Sequence, residues 1–225
     1  MSPSPSASVE IDCRPLASFD STSLDAVRRA FAVVEPIHTQ QAWRAVPEPE
    51  FAPAFVRTGW RDEDLYVFAE LIDADVCTTA TADNQRFWEM GDTFEMFLRP
   101  DAQSAYVEFH VAPGNLQLQL RFPDGDWLSR TAPELAFSGA LLPPGRFVSQ
   151  AWVDRTLPGW CVLAKIPNQS VCDEPVPLDG TNWAFSFSRY DCTRGADAPV
   201  ISSTSPHTLP RFHRQQEWGR LRFQS

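Results

Sequence analysis

Between Trp88 and Leu98 the chain reads Trp-Glu-Met-Gly-Asp-Thr-Phe-Glu-Met-Phe-Leu. A large aromatic precedes a segment that carries Asp92 and Glu95. Side chains on a β-strand alternate between faces. Phe94, Met96 and Leu98 therefore turn toward a core, and Glu95 points the other way, beside Phe97. An aromatic plate next to carboxylates is chemistry that holds a sugar ring. The apolar face of the ring stacks on the plate, and the carboxylates accept hydrogen bonds from its hydroxyls. Taken alone, this window favours a plainer reading, in which Trp88 is a core residue and Glu95 a solvated strand position.

A second group has the same alternation. Tyr106, Glu108 and His110 share one strand face, opposite Val107, Phe109 and Val111. If this strand neighbours residues 92–99, Glu108 and His110 lie near Glu95, as a polar floor beneath the plate or as the ordinary polar face of a sheet. Paired carboxylates also suit glycoside hydrolysis, which needs two carboxyls about 5 to 9.5 Å apart. Asp92 and Glu95 point to opposite faces and make a poor pair; Glu95 with Glu108 is conceivable, but nothing singles them out. Near the end of the chain, Phe212-His213 and Trp218-Gly219 form an aromatic-bearing loop ahead of Leu221 and Phe223. Phe212 sits in a Pro- and His-bearing loop, where a core role is less automatic. Phosphate-cradling glycine loops and GxSxG, HExxH and DxDxDG motifs are absent. None of His38, His110, His207 and His213 has an i, i+4 histidine partner, which disfavours a zinc enzyme.

The elements that must position these residues are mostly short strands. Phe55 to Arg61 and Leu65 to Ile72 read as a hairpin around Asp62-Glu63-Asp64. Further strands are expected at 92–99, 104–112, 116–122, 147–154, 160–166, 183–190 and 217–223. Turn signals separate them, among them Pro113-Gly114, Pro123-Asp124-Gly125, Pro143-Pro144-Gly145, Pro158-Gly159 and Asp179-Gly180. Apolar residues at Leu24, Val27, Phe31 and Val34 predict one short helix over 24–34. The Pro-rich stretch 36–53 reads as a loop anchored by Trp43. Strands at this spacing without long helical periods between them predict an all-β fold, an antiparallel β-sandwich of jelly-roll or immunoglobulin-like type with a short N-terminal helix or loop segment. Residues 1–35 read as an N-terminal extension, flexible and Ser/Pro-rich over about 1–8, and residues 36–225 as one sandwich domain.

Composition narrows the partners. With 43% hydrophobic residues the chain can bury a sizeable core. A net charge of −10 argues against nucleic acid and anionic membrane surfaces, which need clustered Lys and Arg. The five cysteines are odd in number and include no CxxC spacing, so free thiols in a reducing compartment fit better than a disulfide framework or a cysteine zinc site. The start of the chain has no basic, apolar leader pattern. A cytoplasmic location is therefore expected unless a leader has been removed. No segment has the apolar length of a membrane span.

In order along the chain, several segments together resemble the family 9 carbohydrate-binding modules and their DOMON-like relatives. They are Leu65-Tyr66-Val67 with Asp73; Trp88 followed by Asp92 and Glu95; Tyr106-x-Glu108-Phe109 followed by Pro113-Gly114; Trp160 leading to Ile166-Pro167; Trp183 with Arg189; Ser205-Pro206; and Phe212-His213 with Trp218-Gly219. The resemblance covers roughly residues 40–225. It implies a β-sandwich that binds mono- or oligosaccharides between two aromatic rings, with structural calcium. Carried over by position, Trp88 is the first stacking ring and Phe212 the second. Glu95 is a sugar-binding carboxylate, and His110 stands where a basic contact occurs. The departures are a phenylalanine plate at 212, a histidine at 110 in place of an arginine-type donor, Leu163 where many relatives carry Glu, and Thr204 where an aromatic often precedes Ser-Pro. Asp73 and Asp75 are the candidate calcium ligands.

Three readings follow. The first is a non-catalytic sugar binder using Trp88, Phe212, Glu95, Glu108 and His110, with Arg189 bracing the floor and a glycoside hydrolase as an associated partner. The second is an interaction or structural sandwich that has lost the site. The third is a haem b module with ligands from Met90, Met96, Lys165 and His110.

Overall fold

The structure, a computed structural model, describes residues 9–154 and 158–225. In chain order it opens with β1 (Glu10–Pro15), α1 (Leu24–Phe31), β2 (Ile37–His38), β3 (Ala54–Arg61) and β4 (Asp64–Ile72). There follow β5 (Thr93–Pro100), β6 (Tyr106–Val111), β7 (Gln117–Phe122), α2 (Trp127–Arg130) and α3 (Pro133–Ala140). The chain finishes with β8 (Val148–Asp154), β9 (Gly159–Pro167), β10 (Asn182–Asp191), β11 (Val200–Ser203) and β12 (Gly219–Phe223). The fold is all-β, as the strand and turn pattern predicts.

The strands form one path in the order β7-β6-β5-β10-β12-β1-β3-β4-β9-β8, with β11 on β10 and β2 on β3. Pairing is antiparallel except at β1. Glu10–Cys13 runs parallel to Arg220–Phe223 of β12, and Arg14–Pro15 runs parallel to Gly59–Trp60 of β3. β1 is thus the seam along which two sheets join and fold over each other. Of residues 1–35, set apart above as an extension, the described residues 9–35 are instead built into the sandwich; the expected flexible stretch 1–8 lies outside the described residues. The six residues of β1 contain only Ile11 and Cys13 as an alternating apolar pair, too short a pattern to show as a strand.

Alternation makes the core. Phe94, Met96 and Leu98 of β5, Val107, Phe109 and Val111 of β6, and Trp183, Phe185 and Phe187 of β10 face Leu65, Val67 and Ala69 of β4 and Trp160, Val162, Ala164 and Ile166 of β9. At the β3–β4 hairpin, Asp62 and Glu63 both adopt left-handed backbone, with φ of 51° and 63°, the conformation a two-residue hairpin loop needs.

Both sheets also carry apolar residues on their outer faces. On the second sheet, Tyr66, Phe68, Cys161 and Leu163 are covered by Val27 and Phe31 of α1 and by Leu16. Ser23 caps that helix, its hydroxyl accepting from the Ala26 N–H. On the first sheet, long connections do the covering. They are the loop between β4 and β5, the segment holding α2 and α3, and the stretch from 204 to 218.

Candidate functional site

The outer face of the first sheet carries two cross-strand rows. Ser188 of β10, Glu95 of β5, His110 of β6 and Leu118 of β7 stand side by side; the next row is Ser186, Phe97, Glu108 and Leu120. Three of the anticipated residues, Glu95, Glu108 and His110, are therefore neighbours, each at most 3% exposed. His110 stands between the two carboxylates. Its Nδ1 lies 3.2 Å from Glu95 Oε1 and its Nε2 lies 3.4 Å from Glu108 Oε2. Neither contact has hydrogen-bonding alignment, so both ring nitrogens of His110 remain buried without a hydrogen-bond partner. Glu108 Oε1 has the His213 Nδ1 at 2.9 Å, and that same nitrogen is 3.0 Å from the Tyr106 hydroxyl. His213, with 39% of its side chain exposed, is where the network meets the surface.

Burial sets the charges. It pushes the Glu95 carboxyl up to about 7, against the opposing pull of His110. Burial acts on Glu108 too, but the charge of His213, with His110 beside it, holds it below the usual carboxylate range. His213 is disfavoured as a cation by burial, yet Glu108 raises it above an ordinary histidine. Glu108 and His213 thus form an ion pair, and Glu95 is a carboxyl poised to be neutral.

Aromatic rings frame this floor. Trp88, half-buried, has its ring 5.7 Å from His110 and 5.9 Å from Phe137 of α3, with Arg86 stacked on the Phe137 ring at 4.9 Å. Phe212 differs from expectation: it is 5% exposed, packed against Phe97, Tyr190 and His207. It is a packing residue and not an open plate, because the Trp218 indole N–H donates to its carbonyl at 2.7 Å and pins that loop to the sheet. The half-buried ring above it is Trp43, 6.4 Å away. Trp43 is presented by a loop fixed through pairing of Gln40 with Ser203 and through the Gln41 amide, which donates to the Ile201 carbonyl.

Arg189 does not join this cluster. Along β10 it alternates with Ser188 and Tyr190 and follows Phe187, so it points between the sheets, opposite Phe94. Fully buried, it donates to Asp73 Oδ2 at 3.0 Å and lies 3.1 Å from Asp191 Oδ2. Asp75 is apart from Asp73 in role: its carboxylate accepts from the backbone and guanidinium of Arg194. Carboxylate oxygens of Asp73, Asp92 and Asp191 lie within 4.8 Å of one another. Burial pushes Asp92 up to about 7 and Asp191 up to about 6.

The haem candidates are dispersed. Met96 faces the inter-sheet core, His110 the opposite face, and Lys165 belongs to β9, with its ammonium 2.9 Å from Asp64. A Ser–His–Glu chain that sequence spacing did not reveal runs from Ser186 through His207, 3.3 Å from the Ser186 hydroxyl, to Glu217, 3.2 Å from Nδ1. Ser186 and His207 are fully buried, and this chain ties β10 to the loop before β12. The sequence reading gave no contact role to Trp43, Tyr190 or His213. The partners of His213 lie more than a hundred residues away, a distance no local pattern spans.

No family model and no curated protein matches the chain. Solved structures do. A protein from Bacteroides uniformis to which carbohydrate binding is ascribed aligns over 97% of this chain and all of its own, with a TM-score of 0.75 at 18% identity. A family 9 carbohydrate-binding module from Caldicellulosiruptor kristjanssonii in complex with cellotriose aligns over 96% of this chain and 94% of its own, with a TM-score of 0.64 at 17% identity. The same organism's module in complex with glucose gives a TM-score of 0.61 at 16% identity, over 96% and 95%. At these identities the likeness is one of fold, and the fold of this chain is that of the family 9 carbohydrate-binding modules.

Proposed function

We propose that the chain binds a mono- or oligosaccharide without transforming it. The observation that carries this reading is the pair of buried His110 ring nitrogens without hydrogen-bond partners, beneath half-buried aromatic rings. Such atoms cost about 1–3 kcal/mol each when left unpaired, and sugar hydroxyls both donate and accept. Trp88 supplies one stacking ring and Trp43 the second, seated on Phe212. His213 meets the ligand first, and its displacement opens the floor. The structural neighbours solved with cellotriose and glucose support this ligand class.

Catalysis is the weaker reading. A glycosidase needs its scissile bond between two carboxyls, and here the His110 ring stands between Glu95 and Glu108. Association with a separate glycoside hydrolase is a further expectation, tested by co-purification.

Titration with a panel of mono- and oligosaccharides, followed by calorimetry and tryptophan fluorescence, tests the proposal, with Trp88→Ala as control. Saturable binding of one sugar class, weakened by the substitution, is expected. A flat response across the panel from folded protein overturns it in favour of an interaction sandwich.

A further inference from the structure

The resemblance to family 9 modules brings an expectation of structural calcium with Asp73 and Asp75 as candidate ligands, whereas the carboxylates that converge in the structure are Asp73, Asp92 and Asp191. Their surroundings argue against calcium there. The oxygens that would surround a cation converge instead on one guanidinium. Arg189 Nη1 donates to the Ile72 carbonyl at 2.5 Å and the Ala52 carbonyl at 3.3 Å, and Nη2 lies 3.0 Å from Asp73 Oδ2 and 3.1 Å from Asp191 Oδ2. Two carbonyls and two carboxylates are hard oxygen donors of the type calcium selects. A guanidinium is a permanent cation that is never deprotonated in proteins. It is held here with no exposure, so a metal ion would have to displace it from a closed interior.

The third carboxylate is committed to the backbone. Asp92 Oδ2 accepts from the Cys77 N–H at 2.5 Å and Oδ1 from the Cys192 N–H at 2.7 Å. Gly91 makes this approach feasible. Its φ is +145°, and a Cβ there would stand 2.4 Å from the Cys77 carbonyl oxygen. Asp73 and Asp92 sit at the two ends of the loop that carries Trp88, and Asp191 ends β10. The cluster therefore fastens both feet of that loop to the sheet.

We propose that Arg189 is the resident cation of the Asp73–Asp92–Asp191 cluster and that this chain anchors its Trp88 loop without a metal ion. The inference is independent of the sugar reading, because thermal unfolding tests it with no ligand present.

The experiment measures Tm of the purified chain with chelator, with added calcium and with neither, alongside metal analysis. The expected result is no bound calcium and a Tm that moves by less than about 1 °C in any condition. A Tm that falls by more than about 5 °C with chelator and returns with calcium overturns the proposal. Arg189→Met, which leaves buried carboxylates uncompensated, is expected to lower Tm by about 10 °C, and Arg189→Lys, which keeps the charge, to recover part of that loss. Arg189→Met as stable as the parent also overturns it. If Arg189→Met does not fold, the chelator result and Arg189→Lys decide.

Discussion

The outer faces of the two sheets are made from the same alternation, yet they are finished differently. Behind the second sheet, α1 lays Val27 and Phe31 onto Tyr66, Phe68 and Leu163, a dry apolar layer. Behind the first, loops lay aromatic rings over Glu95, Glu108, His110 and His213. A helix covers a face uniformly and permanently. Loops cover it piecemeal and leave half-buried rings at the edge, the feature on which the proposed saccharide site rests. One face contributes stability; the other holds stability back in unpaired polar atoms.

The largest effect expected from this contrast is on the dry side. Phe31→Ala should cost about 3–5 kcal/mol in denaturant unfolding, with saccharide affinity unchanged in whatever fraction remains folded. An equal loss of affinity would erase the distinction between the faces. Next comes pH. Burial raises Glu95 to about 7, so its contribution is present below the ordinary carboxylate range and is lost as pH rises through 7. His213, also raised, loses its contribution in the same direction. Stability should therefore decline between about pH 5 and pH 8, and Glu95→Gln should recover up to about 3 kcal/mol above pH 7. A flat pH profile in both proteins would show that the polar face is solvated.

Trp88→Ala should weaken saccharide binding by about 2 kcal/mol, some thirtyfold, in calorimetry while shifting Tm little. Trp43→Ala should act in the same direction, whereas Phe212→Ala should act mainly on Tm. The reverse pattern would restore Phe212 as the second plate. The smallest effect belongs to the helix cap: Ser23→Ala should cost about 1 kcal/mol or less, and leave affinity untouched.

How much of this was legible in the sequence follows from the reach of each signal. Alternation of period two exposed β3 to β10 and β12 apart from the four-residue β11, because each buries a run of apolar residues on one face. It also set Glu95, Glu108 and His110 on a shared face, given only that β5 and β6 are adjacent. The same rule applied to β10 turns Arg189 inward with Phe185 and Phe187; the sugar-binding reading that had Arg189 brace the floor did not apply it. β1, β2 and β11 went unseen: β2 has two residues and β11 four, and β1 offers only Ile11 and Cys13 as an alternating apolar pair. The burial of Phe212 beneath Trp43 was not legible, because which of two aromatics covers the other depends on packing between residues 169 positions apart, and no spacing records that.

The seam at β1 has a consequence for how the protein is made. Residues 10–13 are made well ahead of their partners in β12, residues 220–223. This parallel pair cannot close until residues 220–223 have been made. Until then the open margins of both sheets are unpaired strand edges, which invite pairing with other chains. Insertion of β1 between β12 and β3 is a long-range pairing of the kind that forms slowly.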